Sequence, residues 1–176
     1  MHKSSFYKMN DFISNWLKSK TIAGSIVLDF GSQCVNGNYR QLFDPNIWQY
    51  IGVDQLPGKN VDIVLSNPYQ WNEFESDSID LVISGQALEH VEYPWKIFEE
   101  FNRVMKKGAI CCVIAPSSGP EHRYPLDCWR FYPDGMRALC KHANLTCLHC
   151  QTDSNEHYID EESSLWKDTM LIAEKQ

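Results

Sequence analysis

The sequence predicts an α/β protein built on a mostly parallel sheet, and three observations point there. Short continuous apolar runs, such as IVLDF at 26–30 and AICCVIA at 109–115, suit strands buried on both faces. Segments of helical periodicity lie between the later runs, the alternation that a parallel sheet requires. The first run also ends in an acid and a glycine-bearing loop, IVLDFGSQCVNG at 26–37. A backbone without Cβ at a strand tip lets a ligand approach closely.

The elements follow in order. Met9, Phe12, Ile13, Trp16 and Leu17 share one helical face. Gly24 breaks the chain before the first strand, Ile26–Phe30. QYIGVD ends a second strand at Asp54, VDIVL at 61–65 reads as a third, and IDLVIS at 79–84 as a fourth. After the fifth, AICCVIA, the runs LTCLHC at 145–150 and DTMLIAE at 168–174 complete the set. Ile97, Phe98, Phe101, Val104 and Met105 form the apolar face of a helix with Pro94 near its start and Lys106, Lys107 and Gly108 at its end. Another helix begins at Pro133 and carries Met136, Leu139 and Cys140 toward Ala143. Only QLPGKN separates the second and third strands, whereas a parallel crossover usually takes a dozen or more residues. The third strand is therefore expected to be short, peripheral and without its helix. With no internal repeat or low-complexity linker, residues 1–176 are expected to form one domain.

The composition, 43% hydrophobic and 12% aromatic over 176 residues, suits a globular core. The formal charge of −7, with no stripe of Lys or Arg, argues against a nucleic-acid partner. The acidic tract from Glu156 to Glu162 reads as a solvated loop. No apolar run reaches the roughly 18 residues of a membrane span, and no signal pattern opens the chain, so no membrane partner is expected. In that setting, seven cysteines point to a reducing cytoplasm rather than to disulfides. Cys111, Cys112, Cys140 and Cys147 sit in apolar runs and read as small hydrophobes. CLHC at 147–150 is a lone pair without a second pair at metal spacing, and no metal is expected there.

Asp54 closes the second strand 25 residues after Asp29. In open α/β sheets ligands bind at the carboxyl ends of strands, where an acid can accept from both hydroxyls of a ribose. Alone, Asp54 is equally a solvated strand-end acid; with the glycine loop beside it, a nucleoside site is the better reading. Taken together, VLDFGS, YIGVD, FESDSIDLVISGQALEHV and FEEFNRVMKKGAICCVIAP resemble the class I S-adenosylmethionine-dependent methyltransferases, over residues 25–145. The resemblance implies a Rossmann-like sandwich, with a mostly parallel seven-stranded sheet, helices on both faces and an antiparallel last strand. It implies S-adenosylmethionine as cofactor, with Asp29, Gly31 and Ser32 bordering the methionine part and Asp54 holding the ribose. Gln55 or Leu56 would lie against the adenine, with Asn67, Pro68 and Tyr69 beside the ring. Tyr69 and its neighbour Trp71 are equally readable as buried loop aromatics. Ser84, Gly85 and Gln86 would end the fourth strand beneath the sulfonium.

The chain departs from the family pattern in its glycine loop. Gln33 and Val35 stand where further glycines are usual, and Gly37 comes two residues late, with Asn36-Gly37 expected to supply a positive-φ turn. NPY at 67–69 is similar to the NPPY motif of amino-methyltransferases, but that motif belongs after the fourth strand, where this chain has SGQA. Metal-dependent catechol-type members place an aspartate there, and Ser84 occupies that end, so no metal is expected.

The stretch PSSGPEHRYPLDCWRFYPDG at 116–135 forms a long loop at the ligand end of the sheet, a common place for function. His122 is the candidate general base, since imidazole titrates near neutrality, and His90 is a second candidate. Arg123, Tyr124, Asp127, Arg130 and Tyr132 are candidates to hold a polar or anionic acceptor. His122 and Arg130 would equally serve to pin the loop to backbone, and His90 to pack beside the cofactor. The function expected is in-line methyl transfer to an oxygen of a small molecule, sugar or glycan precursor. A catalytically inactive S-adenosylmethionine-binding module or assembly partner is the alternative. A nicotinamide-dependent oxidoreductase would need a fuller G-x-G-x-x-G than this chain has.

Overall fold

The structure is a computed structural model, and it describes residues 2–17, 22–154 and 160–176. Helix α1 (Lys3–Trp16) precedes β1 (Ser25–Phe30), β2 (Trp48–Asp54), β3 (Ile63–Val64) and β4 (Ile79–Gly85). Helix α2 (Pro94–Val104) leads into β5 (Met105–Pro116), and α3 (Pro133–His142) into β6 (Leu145–Thr152). The short helix α4 (Glu161–Trp166) and β7 (Asp168–Lys175) close the chain. The strands form one seven-stranded sheet in the order β3-β2-β1-β4-β5-β7-β6. β1 to β5 pair in parallel, and β7 runs antiparallel to both β5 and β6.

The sheet is buried on both faces because apolar residues follow one another along its central strands. Leu81 and Ile83 of β4, with Ile110, Cys112 and Ile114 of β5, face Met9 and Phe12 of α1. Val82, Cys111 and Val113, one residue out of phase, face Ile97, Phe98 and Phe101 of α2 and Met136 and Cys140 of α3. This is the period-two alternation of a strand applied to two cores. Cysteine serves here as a small apolar filler, and all seven cysteines are free.

Two elements differ from the sequence reading. The second helix stops at Val104 rather than at the Lys-Lys-Gly run, and Met105 already pairs with Ile79. The register then jumps to Leu81–Ile110, so residues 106–109 bulge from the ladder, with Gly108 at φ +75°. The acidic tract also contains structure: Asp160 caps α4, its carboxylate accepting from the Ser163 amide at 2.8 Å and hydroxyl at 2.6 Å. Residues 156–159 of that tract lie outside the described residues.

The third strand is, as expected, a two-residue edge reached without a helix. The short link works because side chains replace ladder bonds. The Asp62 carboxylate accepts from the Gly52 amide at 2.7 Å, and the Asp62 amide donates to the Gly52 carbonyl at 2.8 Å. Gly52 is required there, since a Cβ would lie 2.1 Å from the Asn60 carbonyl oxygen. The link therefore folds back across the tip of β2, toward the loop that follows β1.

Candidate functional site

Parallel strands deliver their carboxyl ends to one edge of the sheet, and a cavity of about 740 Å³ opens there. That volume suits a small-molecule site. The loops after β1, β2 and β4 line it together with residues 122–126 and Trp166.

At the first pole the chain turns at Gly31, with φ +75° and no room for a side chain: a Cβ would meet Ala87 Cβ at 2.2 Å. The Gly31 and Ser32 amides both donate to the Val53 carbonyl, at 2.9 and 3.0 Å, which folds the loop over β2. Cys34 then donates to Lys59, and Asn60 Nδ2 donates to the Ser32 carbonyl, clamping the loop onto the β2–β3 link. Gly37 takes φ +143°, while the loop bends at Val35 and Asn36 rather than in the expected Asn36-Gly37 turn.

Two acids stand in this pole. Asp29 is 3% exposed and accepts a short hydrogen bond from the Tyr50 hydroxyl. Burial raises its carboxyl to about 7, against the lowering effects of Tyr50 and the Arg40 guanidinium. Asp54 is held differently, accepting from three backbone amides: Gln55 at 2.7 Å, Leu56 at 3.3 Å and Gln33 at 3.1 Å. A carboxylate offers about four acceptor positions, so one remains for a ligand hydroxyl.

The opposite pole is built from the turn after β4 and the loop after β5. The Glu89 carbonyl accepts from the Cys128 amide at 2.7 Å and the Trp129 amide at 3.3 Å, docking the loop onto the turn. The Glu89 side chain is fully buried, yet neither carboxyl oxygen has a hydrogen-bond partner. Burial pushes its carboxyl up to about 8. His90 Nδ1 lies 2.6 Å from the Leu126 carbonyl, which can only accept, so Nδ1 carries the proton. His90 Nε2 lies 3.6 Å from Glu89 Oε1. Burial lowers the His90 imidazole below its usual range, and the neighbouring His122 adds to this. The His122 ring meets that of His90 at 4.8 Å between centroids, and that of Trp166 at 4.6 Å.

Of the residues singled out from sequence, Asp29, Gly31, Ser32, Gly37, Asp54, Gln55, Leu56, Gly85, Gln86, His90, His122, Arg123 and Tyr124 line this one cavity. The others stand elsewhere. Ser84 is fully buried behind the lining, between the two cores. Asn67 accepts from the Tyr69 amide, Tyr69 packs on Tyr93, and Pro68 accepts from the Trp71 indole, so this segment closes the core around Trp71 instead. Asp127 and Arg130 pair with each other at 2.6 and 2.9 Å. They also bind the His122 amide and the Pro120 carbonyl, and so hold the loop from within. Arg130 holds the Asp127 carboxyl down to about 2. Tyr132 precedes α3 at the surface.

Glu89, Tyr39, Tyr50 and His2 enter the site without having been singled out. Glu89 had a local signal, an acid set between Leu88 and His90-Val91 in an otherwise apolar stretch. His2 had none. It reaches the site through Asp168, whose buried carboxylate accepts from His2 at 2.7 Å and from Gln86 Nε2 at 3.0 Å.

Residues 28–113 match the family of methyltransferase domains. Among solved structures the chain is similar to a candidate methyltransferase from Bacillus halodurans C-125, with 15% identity and a TM-score of 0.69, covering 98% of this chain and 99% of that one. An S-adenosylmethionine-dependent methyltransferase from Archaeoglobus fulgidus shares 16% identity at a TM-score of 0.65, with 97% and 95% covered. A geranyl diphosphate C-methyltransferase from Streptomyces coelicolor A3(2), solved with S-adenosylhomocysteine, shares 12% at 0.67, with 97% and 80% covered. No curated protein matches the chain by sequence. No helix among the described residues is long and apolar enough to cross a membrane. The match to the methyltransferase domain spans residues 28–113, and the solved structures share the fold of the whole chain.

Proposed function

We propose that the cavity binds S-adenosylmethionine at the Asp29–Asp54 pole and a small hydroxyl-bearing acceptor, a sugar or glycan precursor among them, at the Glu89–His90–His122 pole. The observation that carries this reading is the cavity itself, which joins a nucleoside-type acid to an imidazole cluster across the ends of β1, β2 and β4. Bound there, S-adenosylmethionine supplies a methyl group on a positively charged sulfur that leaves as a neutral thioether.

The chain's own residues supply alignment and a proton acceptor. Asp54 receives a ribose hydroxyl at its open position, and Leu56, 54% exposed at the cavity edge, offers an apolar surface for a base. Asp29 supplies a buried carboxylate for a cationic amine, a partner that adds to Tyr50 and Arg40 in favouring its ionised form. On the acceptor side, His122 takes the hydroxyl proton as the oxygen attacks the methyl carbon. Orienting the two reactants accounts for much of such a barrier, on the order of 7–11 kcal/mol in well-aligned cases.

Calorimetric titration tests the cofactor assignment: S-adenosylhomocysteine is expected to bind and NADH is not. The reverse result would overturn it. A second reading, an inactive cofactor-binding module, is favoured by Gln33 and Val35 in the glycine loop. Binding without turnover on a broad panel of hydroxylated acceptors would select that reading.

A further inference from the structure

We propose that Glu89, His90 and His122 form a binding site for one divalent transition-metal ion of the zinc or manganese class, facing the acceptor end of the cavity. One ligand atom from each residue lies within 4.8 Å of the other two, the one such group of three or more among the described residues. Metal bonds to imidazole nitrogen and carboxylate oxygen are about 2.0–2.2 Å long. The three side chains therefore close on an ion by rotations of about 1 Å. Two imidazoles and a carboxylate suit first-row transition ions, whereas magnesium and calcium prefer all-oxygen sets.

Three features go beyond proximity. Glu89 is completely buried with both oxygens unpartnered, an arrangement that costs free energy unless a cation or donor completes it. The bond from His90 Nδ1 to the Leu126 carbonyl leaves Nε2 with its lone pair, the tautomer a metal needs. Behind His122 stands Asp127, with Oδ2 at 3.5 Å from Nδ1 and accepting from the His122 amide at 2.7 Å. A carbonyl hydrogen-bonded to His90 and a carboxylate close to His122 Nδ1, though not hydrogen-bonded to it, stand where the supports of metal-binding imidazoles are found.

Three protein ligands leave coordination positions open, and all three residues line the cavity. With an ion bound, His122 would be a ligand rather than the base, and an acceptor oxygen completing the sphere would lose its proton more readily; that role rests on the proposed function, while the ion site does not. The site departs from the expectation of no metal because its ligands come from two segments. Glu89 and His90 sit in the turn after β4, and His122 comes from the loop after β5.

The test is titration of the metal-free full chain with Zn²⁺, Mn²⁺ and Co²⁺, followed by calorimetry and by the Co²⁺ absorption spectrum. One equivalent is expected to bind, without the intense near-ultraviolet band of thiolate ligation. Glu89→Gln and His122→Ala are each expected to weaken binding at least tenfold, with cooperative melting retained. His142→Ala, at the surface pair with Glu99, is expected to leave it unchanged. No binding of any of the three ions, equal affinity in both site variants, or a thiolate band would overturn the proposal. S-adenosylhomocysteine titrated into the same samples reports separately on the methyltransferase reading, so the two fail independently.

Discussion

The two poles of the cavity are built on opposite terms. At the Asp54 pole nearly every polar group is satisfied from its own neighbourhood, with three amides on one carboxylate and a loop clamped to the adjacent link. At the Glu89 pole a buried carboxylate has no hydrogen bond at all, and His122 Nδ1 is likewise buried without one. Buried polar groups are normally paired, so the contrast separates a pre-formed binding surface from a site that is completed by what it binds. The first pole holds its ligand by shape and a few open acceptor positions. The second has chemical capacity in reserve.

The largest expected effect lies at the second pole. His122→Ala is expected to cut methyl transfer by 10²–10⁴-fold while leaving S-adenosylhomocysteine affinity within about twofold. A stable variant with wild-type rate would remove His122 from the chemistry and collapse the distinction between the poles. At the first pole, Asp54→Ala removes a charged acceptor worth roughly 1.5–3 kcal/mol, and frees the Gln33 amide that clamps the loop. S-adenosylhomocysteine affinity is therefore expected to fall roughly ten- to hundredfold by calorimetry. Unchanged affinity would take Asp54 out of the site.

A smaller effect depends on pH. Asp29 is held near 7 by burial, with Tyr50, Arg40 and Asp54 as its facing groups. Its ionised form pairs with a cationic amine, so S-adenosylhomocysteine affinity is expected to rise up to about tenfold per pH unit below 7 and to level off above. Asp29→Asn should flatten that profile. The stability of the free protein carries the opposite sign. The folded chain keeps a proton on Asp29 that the unfolded chain releases near pH 4, so this contribution is full below pH 4 and lost as pH rises toward 7.

The smallest effect concerns the loop itself. Asp127→Ala removes the Arg130 pair and the bond from the His122 amide, and is expected to lower the melting temperature by a few degrees. Its effect on rate should be well below that of His122→Ala, because Asp127 acts on the loop and on His122 from behind and touches no acceptor. An equal loss of rate in both variants would make loop position, rather than the imidazole, the source of activity.

Most of the sheet was legible in the sequence because each central strand is an apolar run, and burial on both faces demands nothing more specific. The positions of Asp54 and Gly31 at the cavity were legible for a related reason. Both lie at strand tips, and a strand tip is a local property of the chain. The two-residue third strand was legible from the length of one link. What only the tertiary structure decided are contacts between distant segments and the burial they impose. Asp127 and Arg130 read as acceptor ligands from their loop, but packing turned them inward onto each other and onto the loop backbone. Asn67, Pro68 and Tyr69 read as adenine neighbours, but they line no part of the cavity, and Pro68 accepts from the indole of the fully buried Trp71. His2 meets Asp168 across 166 positions of sequence, and no local pattern encodes such a pair. Glu89 is the plainest case. Its side chain carries the same charge wherever it sits, and only the docking of the 116–135 loop on its own carbonyl removes it from water without a partner. Strand propensity and strand-end position are written in neighbouring residues; the desolvation that makes a carboxylate reactive depends on everything that packs around it.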